Sequence, residues 1–287
     1  MAVESPLSAE NTTRLPWAHL RLPPFSQVAL RVVQLASREN VQLHQLSELI
    51  SSDPVLASEV LSVVNSLVYA PRFPINSILQ AIAVMGANHL QGLCLMVALR
   101  GYMAKNLTHP AMRSLWLHGL ATAAIAEQVA STGFMDRDIA FTCGLMHDIG
   151  RVALSVVQTR DYTDLLARHK GTPQSILEKE RAIFGHDHCQ IGGQLVTEWK
   201  LPEDFVPIVS EHHTATEPGA CWGMIEVIRM SCRMADAIGF PAFSGCQCEA
   251  FPSLLDELPQ REKKFFQVDL DTLSAEVSKR IAAIDAI

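Results

Sequence analysis

Aromatic residues make up only 6% of this 287-residue chain, so its core has to be filled chiefly by Leu, Val, Ile, Ala and Met. Charged residues are also scarce, at 18% against 48% hydrophobic ones. That balance excludes a disordered chain, and 15 Gly with 15 Pro exclude a collagen-like one. Long apolar runs are missing too. The longest, Leu93 to Leu99, stops at Arg100, far short of the ~20 residues a membrane span needs. Residues 1–20 hold no basic segment followed by an apolar stretch, so no secretory signal is expected. Seven cysteines scattered from Cys94 to Cys248 form no disulfide framework and suit reduced thiols in a cytoplasm. Cys246-Gln247-Cys248 is too short and isolated for a structural zinc site, which needs four ligands. Positive charge is in deficit, with 23 Lys and Arg against 30 Asp and Glu. The resulting net charge of −7 argues against bulk nucleic-acid binding.

What the chain does have is helical periodicity almost throughout. Val28, Ala29, Val32, Val33 and Leu35 recur at helical spacing from Phe25 to Leu35. Further helices are predicted over Leu43–Ile50, from Pro54 to about Asn65-Ser66, over Ile75–Met85 and over Leu90–Leu99. The last two are parted by Gly86-Ala87-Asn88, and Asp53-Pro54 reads as an N-cap followed by a first-turn proline. The second half gives Pro110–Ala130, Asp136–Met146, Gln174–Phe184, Asp187–Trp199, Glu203–Glu211 and Trp222–Ile238. No stretch alternates with period two between hairpin turns, so the fold class is all-α and no sheet is required. Beyond Gly239-Phe240-Pro241 the composition shifts to Gly, Cys, Pro and acidic residues before a last amphipathic helix, Asp271–Ile284. Its face of Leu273, Val277, Ile281 and Ile284 has to pack on the body or on a second subunit, which leaves a homodimer open.

Eleven histidines stand beside three tyrosines. His118, the pair His147-Asp148, His188, the pair His212-His213 and Asp236 fall on predicted helices or at their ends, among small and apolar neighbours. A carboxylate buried in such company is costly unless a cation compensates it. Imidazole nitrogens with carboxylate oxygens suit iron, manganese, zinc or nickel, and ligands from separate helices can converge inside a bundle. Spacing alone leaves structural readings open. His118 can be a core histidine, Asp148 the cap of the segment starting Ile149-Gly150-Arg151, His212-His213 exposed residues at a helix end, and Asp236 a surface carboxylate. His186 lies two residues from His188 and so points elsewhere on a helix, as a rim residue. His19, His44, His89, His109 and His169 match no motif and read as structural or exposed.

The order His, His-Asp, His, His-His, Asp resembles the HD superfamily of metal-dependent phosphohydrolases. The pair that names it is matched by His147-Asp148 within Leu145-Met146-His147-Asp148-Ile149-Gly150. More closely, the stretch from about Leu22 to Gly239 is similar to an HDOD domain, the HD-related output domain of bacterial signalling proteins. Its N-terminal marks are Leu22-Pro23-Pro24, Ile50-Ser51-Ser52-Asp53-Pro54, Asn65-Ser66 and Ala81-Ile82-Ala83-Val84-Met85-Gly86. The second half adds Phe184-Gly185-His186-Asp187-His188, Trp199-Lys200-Leu201-Pro202 and His212-His213.

The resemblance implies a helical bundle of HD/HDOD type: a tail over 1–13, an HDOD domain over 14–240 and a C-terminal extension over 241–287. Within the domain it implies an N-terminal helical lobe over about 14–105 and an HD-like lobe over about 106–240. It also implies that His118, His147, Asp148 and Asp236 hold a divalent metal, with His188, His212 and His213 serving further metals as in relatives that cleave cyclic dinucleotides. Two departures from those enzymes stand out. Their Gly-Tyr-Pro signature is absent after His213, where Thr214-Ala215-Thr216-Glu217-Pro218 stands, and Arg151 replaces the lysine that follows His-Asp-Ile-Gly. Arg151 either forks onto a phosphate or is a surface or helix-capping arginine. Two functions follow. One is a cytoplasmic bacterial signalling module that retains the metal site and works through a protein partner, since no receiver, sensor or DNA-binding motif is legible. The other is an active phosphohydrolase acting on a nucleotide or cyclic dinucleotide, with Asp148 and Arg151 at its catalytic centre.

Overall fold

Helices form where apolar spacing and end-caps coincide. The computed structural model describes residues 24–36, 41–66, 69–133, 135–215 and 221–285. The tail 1–13, His19, Leu22-Pro23 and Thr216-Glu217-Pro218 lie outside the described residues. The first layer consists of α1 (Gln27–Ala36), α2 (Leu43–Ser51), α3 (Pro54–Val64), α4 (Ile78–Met85) and α5 (Ala87–Met103). Asp53 caps α3 as its sequence suggests: Oδ1 accepts from the Val55 and Leu56 N–H groups at 3.2 and 3.1 Å. Gly86, with φ +88°, turns the chain between α4 and α5, so α5 begins at Ala87, ahead of its apolar pattern. α5 is buried on nearly every side and packs on α1 and α3 in its own layer and on the next layer through α7 (Arg137–Met146).

The second layer is centred on the longest helix, α6 (Pro110–Thr132), against which α7 packs. The chain continues through α8 (Ile149–Val157), α9 (Thr159–Arg168), β1 (Lys170–Gly171), α10 (Pro173–Phe184), α11 (His188–Glu198), α12 (Phe205–Glu211) and α13 (Met224–Ala237). After it come β2 (Gly245–Cys246), α14 (Phe251–Glu257), α15 (Gln260–Phe265) and α16 (Leu270–Asp285). The fold is all-α as expected. Its one sheet among the described residues is a two-residue parallel pairing of Lys170 with Gly245 and Gly171 with Cys246, too short to leave a period-two signal.

α9, α14 and α15 are not anticipated by the sequence reading, and α8 only as the segment that Asp148 could cap. α8 follows α7 with only His147-Asp148 between them, so one apolar stretch hides two helices. That stretch, Arg137–Val157, is long and apolar enough to span a membrane by composition. Its apolar window is nevertheless 83% buried inside the protein, which accounts for its hydropathy by packing.

Two close approaches fix the depth of His147-Asp148. A Cβ on Gly144 of α7 would lie 2.7 Å from Cα of Ala123 in α6. A Cβ on Gly150 of α8 would lie 1.9 Å from the His188 carbonyl oxygen of α11. Only hydrogen fits at either place. At the far end, Leu273, Val277, Ile281 and Ile284 of α16 are buried, and α16 packs on α6 of the same chain. At roughly 1.5–3 kcal/mol per fully buried apolar side chain, this face anchors α16. The stripe that sequence left open to a second subunit is therefore consumed within the chain.

Candidate metal centre

His147 ends α7, and Asp148 takes the N-cap position of α8. Asp148 makes no side-chain cap bond there, so the capping role open to it in sequence is not the one it takes. Its carboxylate turns inward and meets four histidines, its neighbour His147 and three from elsewhere in the chain. Oδ1 lies 3.3 Å from His188 Nε2 and 3.4 Å from His212 Nε2. Oδ2 lies 3.5 Å from His147 Nε2 and 3.9 Å from His118 Nε2. All five residues are buried.

Each of these four rings is held by its other nitrogen. His118 Nδ1 is 2.8 Å from the Phe240 carbonyl, His147 Nδ1 2.6 Å from that of Gly144, and His212 Nδ1 3.0 Å from that of Val209. His188 Nδ1 is 2.6 Å from the Glu180 carboxylate. A carbonyl or carboxylate can only accept, so Nδ1 carries hydrogen in all four, and Nε2 is the nitrogen turned toward Asp148. Nε2 of His147, His188, His212 and the half-buried His213 has no hydrogen-bond partner. Between such nitrogens and a carboxylate oxygen, a positive charge is required, either protons or a metal ion.

The donors form two groups whose atoms lie within 4.8 Å of one another: Asp148, His188, His212 and His213, and then His118, His147 and Cys232. Six of the seven expected ligands fall in these groups. Asp236 does not. It belongs to the same cluster, but its Oδ1 lies 3.2 Å from the Nδ1 side of His118, and its Oδ2 accepts from the Cys246 thiol at 3.6 Å.

Arg151 corrects a sequence reading, being neither a surface nor a capping arginine. It is 1% exposed, donates from Nε to Asp148 Oδ1 at 2.9 Å, and has Nη1 3.5 Å from Glu180 Oε1. Glu180 was missed entirely. It is fully buried and accepts from Tyr162 Oη at 2.8 Å and from the His188 backbone N–H at 2.9 Å. In sequence it hides in the charged run Glu178-Lys179-Glu180-Arg181. The available signal is that it lies four residues after Ile176 and three after Leu177, on the buried stripe of α10.

The electrostatics follow from these contacts. Burial works against the Asp148 carboxylate, but Arg151 and the surrounding imidazoles hold it well below the usual range. Burial likewise opposes the Glu180 charge, and His188 and Arg151 outweigh it, bringing the carboxyl to about 2. Burial and Arg151 lower His188, while Glu180 and Cys189 raise it to about 10. Burial, with the charges of His212 and His118, takes His147 down to about 3 against the pull of Asp148. His213 is pushed well down by burial and by the charge of His212 and His188. Burial disfavours the Cys189 thiolate, yet His188 and His212 bring the thiol down to about 6.

A cleft of about 720 Å³ reaches the centre at His212, His213, Cys232 and Asp236. Glu249 and Glu257 of the C-terminal extension border it and clasp Arg233, with four contacts of 2.5–2.7 Å. Arg229, also on this cleft, pairs with Glu226 at 3.1 Å. Of the histidines outside the motif, His44 pairs with Glu48 on the surface, His109 caps α6 and His169 packs on Phe243. His186 is half-buried and in neither donor group. His89 lies 2.8 Å from Asp138, beside Glu127, where Arg280 already supplies the cation.

Fold and centre together define an all-α protein built around a buried histidine–aspartate cluster. The HDOD domain model matches residues 22–215, well over half of the chain. The chain belongs to the HDOD family. It is 26% identical over 200 residues to an uncharacterized protein of Treponema pallidum (strain Nichols), matching 67% of this chain and spanning 37% of that relative's length. Among solved structures it is similar to an HDOD domain protein of unknown function from Geobacter sulfurreducens. The TM-score is 0.69 at 24% identity, covering 93% of this chain and 92% of that one. A candidate signal transduction protein of Marinobacter aquaeolei VT8 follows, with TM-score 0.66 at 20% identity, covering 94% and 61%. A candidate phosphohydrolase of Shewanella amazonensis SB2B gives 0.60 at 20%, covering 92% of each chain. At these identities the likeness shows the fold.

Proposed function

We propose that this chain is a cytoplasmic signalling module of the HDOD type whose histidine–aspartate centre holds a divalent metal as a structural or ligand-sensing element. The observation that carries the reading is the common orientation of His118, His147, His188 and His212. Each is tied at Nδ1 and turns Nε2 to within 3.9 Å of Asp148. The residues fit a metal: buried Nε2 atoms without partners are what imidazole ligands leave when the metal is not counted. Asp148, His188, His212 and His213 would hold one ion, and Asp148 Oδ2 with His118 and His147 a second. When bound, a divalent cation supplies Lewis acidity toward water and phosphoryl groups.

What the chain's own residues do around it favours a module over a hydrolase. Arg151, the obvious phosphate ligand, is 1% exposed and pairs with Asp148 and Glu180, although its buried Nη1 makes no hydrogen bond. Among the described residues, both arginines bordering the cleft are paired with carboxylates as well. An incoming phosphate ester would meet Glu249 and Glu257 there, and like charges repel. Output would then pass to a protein partner through helix rearrangement.

The second reading, hydrolysis of a nucleotide or cyclic dinucleotide, is favoured by one observation, the cleft that reaches His212 and His213. Metal-loaded protein assayed on generic phosphoesters and cyclic dinucleotides separates the two. The module reading expects no turnover above the metal-free control. Turnover that disappears in a folded Asp148→Asn variant would replace it with the enzyme.

A further inference from the structure

We propose that Cys232, not Asp236, is the ligand that α13 contributes to the His118–His147 side of the centre, as a thiolate on a divalent cation. The proposal rests on the metal reading above and narrows the class of metal. Cys232 and Asp236 are four residues apart on α13 and share one face, so either is in reach of the centre. Geometry separates them. Cys232 Sγ lies 3.5 Å from His118 Nε2, the side of the ring that faces Asp148 Oδ2. Asp236 approaches the opposite nitrogen, Nδ1, and is held there by the Ala242 N–H at 3.3 Å and the Cys246 thiol.

A second observation comes from the other ring. His147 Nε2 is fully buried and has no hydrogen-bond partner, and a ring nitrogen of His147 lies within 4.8 Å of both the Cys232 sulfur and the His118 donor. Donors on a tetrahedral ion with ordinary metal–nitrogen and metal–sulfur lengths stand about 3.4–3.6 Å apart. The 3.5 Å separation of Sγ from His118 Nε2, a thiol–imidazole hydrogen bond without the ion, has the length of one such edge. Asp236 then becomes a positioning residue that orients His118 from behind, the carboxylate–histidine–metal arrangement.

Binding replaces the thiol proton: the S–H bond breaks, the proton leaves to solvent, and the sulfur lone pair enters the metal–sulfur bond. Two imidazoles and a thiolate favour borderline or soft ions such as zinc, iron(II), nickel or cobalt over magnesium and manganese.

Cobalt(II) titration of the metal-stripped full-length chain tests this, because a cysteine thiolate on cobalt adds a near-ultraviolet sulfur-to-metal charge-transfer band. The wild type is expected to show the band, and Cys232→Ser to lose it while still binding cobalt at the Asp148 side. Cys189→Ser controls for the other thiol near the centre. A triple Cys189→Ser, Cys246→Ser, Cys248→Ser variant is expected to keep the band, which tests Cys232 without altering it should Cys232→Ser fail to fold. Asp236→Asn should keep the band while weakening cobalt affinity by about 10–100-fold. Cobalt bound by the wild type without a band, a band that survives Cys232→Ser, or one lost in the triple variant would overturn the assignment and leave the metal reading standing. No cobalt uptake by the wild type would overturn both.

Discussion

Glu180 joins three buried partners that would otherwise be in conflict. Arg151 and His188 both carry positive charge beside it, and Tyr162 needs an acceptor. Breaking a buried ionic network by removing one partner typically costs about 3–5 kcal/mol, since the remaining charges are left unpaired. Glu180→Ala is therefore expected to lower stability by that order in denaturant unfolding of the metal-free chain. Loss of less than about 1 kcal/mol would mean that the Arg151–Glu180–His188 network is not formed in solution. At this scale the sequence was legible where a motif carried chemistry and opaque where only burial did. The resemblance pointed to His118, His147, Asp148, His188, His212 and His213, and the fold brings these six together. Glu180 lies in a run of charges, and Cys232 one turn from an aspartate that matched the motif better. Arg151 stood open between a phosphate ligand and a surface or capping residue, and its burial was not legible because long charged side chains are rarely buried whole.

Helices bring these residues together through contacts that depend on missing side chains. Gly150 lets the start of α8 touch the His188 carbonyl, and Gly144 lets α7 touch the backbone of α6. Gly150→Ala places a methyl group against backbone that cannot rotate away. Overpacking of this kind costs about 1–3 kcal/mol, and a lowered melting temperature is the expected readout. Wild-type stability in Gly150→Ala would contradict the close approach.

The clasp on Arg233 makes a second prediction at the level of elements. Hydrogen bonding and the charge of Arg233 hold the Glu249 carboxyl below its ordinary value. Its contribution is therefore present above the ordinary glutamate pKa of about 4.3 and lost as pH falls through the depressed value. The groups are substantially exposed, so the pair is worth no more than about 1 kcal/mol. Protection factors for α14 in hydrogen exchange should fall at acid pH in the wild type and be low at both pH values in Arg233→Ala. Unchanged protection in that variant would remove the clasp from the account. Helix positions were legible where caps and spacing agreed, as at Asp53-Pro54. They were not legible at α9, α14 and α15, which are short, at 10, 7 and 6 residues.

On the scale of the whole molecule, helical periodicity without period-two alternation led to an all-α bundle, and that is the fold. The C-terminal helix shows how far such reading reaches. Its apolar stripe was correct, and its partner, α6 of the same chain, was a choice only tertiary packing could make. The centre follows the same logic. Sequence pointed to the residue types, and the fold decides which nitrogen of each ring faces Asp148. The central claim is that those nitrogens and that carboxylate hold a divalent cation. Calorimetric titration of zinc into the metal-stripped full-length chain, with Asp148→Asn titrated alongside, tests it most directly. The account predicts at least one ion bound per wild-type chain, protons released on binding, and affinity weakened by more than about 10-fold in the folded variant. A wild-type chain that takes up no zinc, or a folded Asp148→Asn that binds it equally well, would contradict the account.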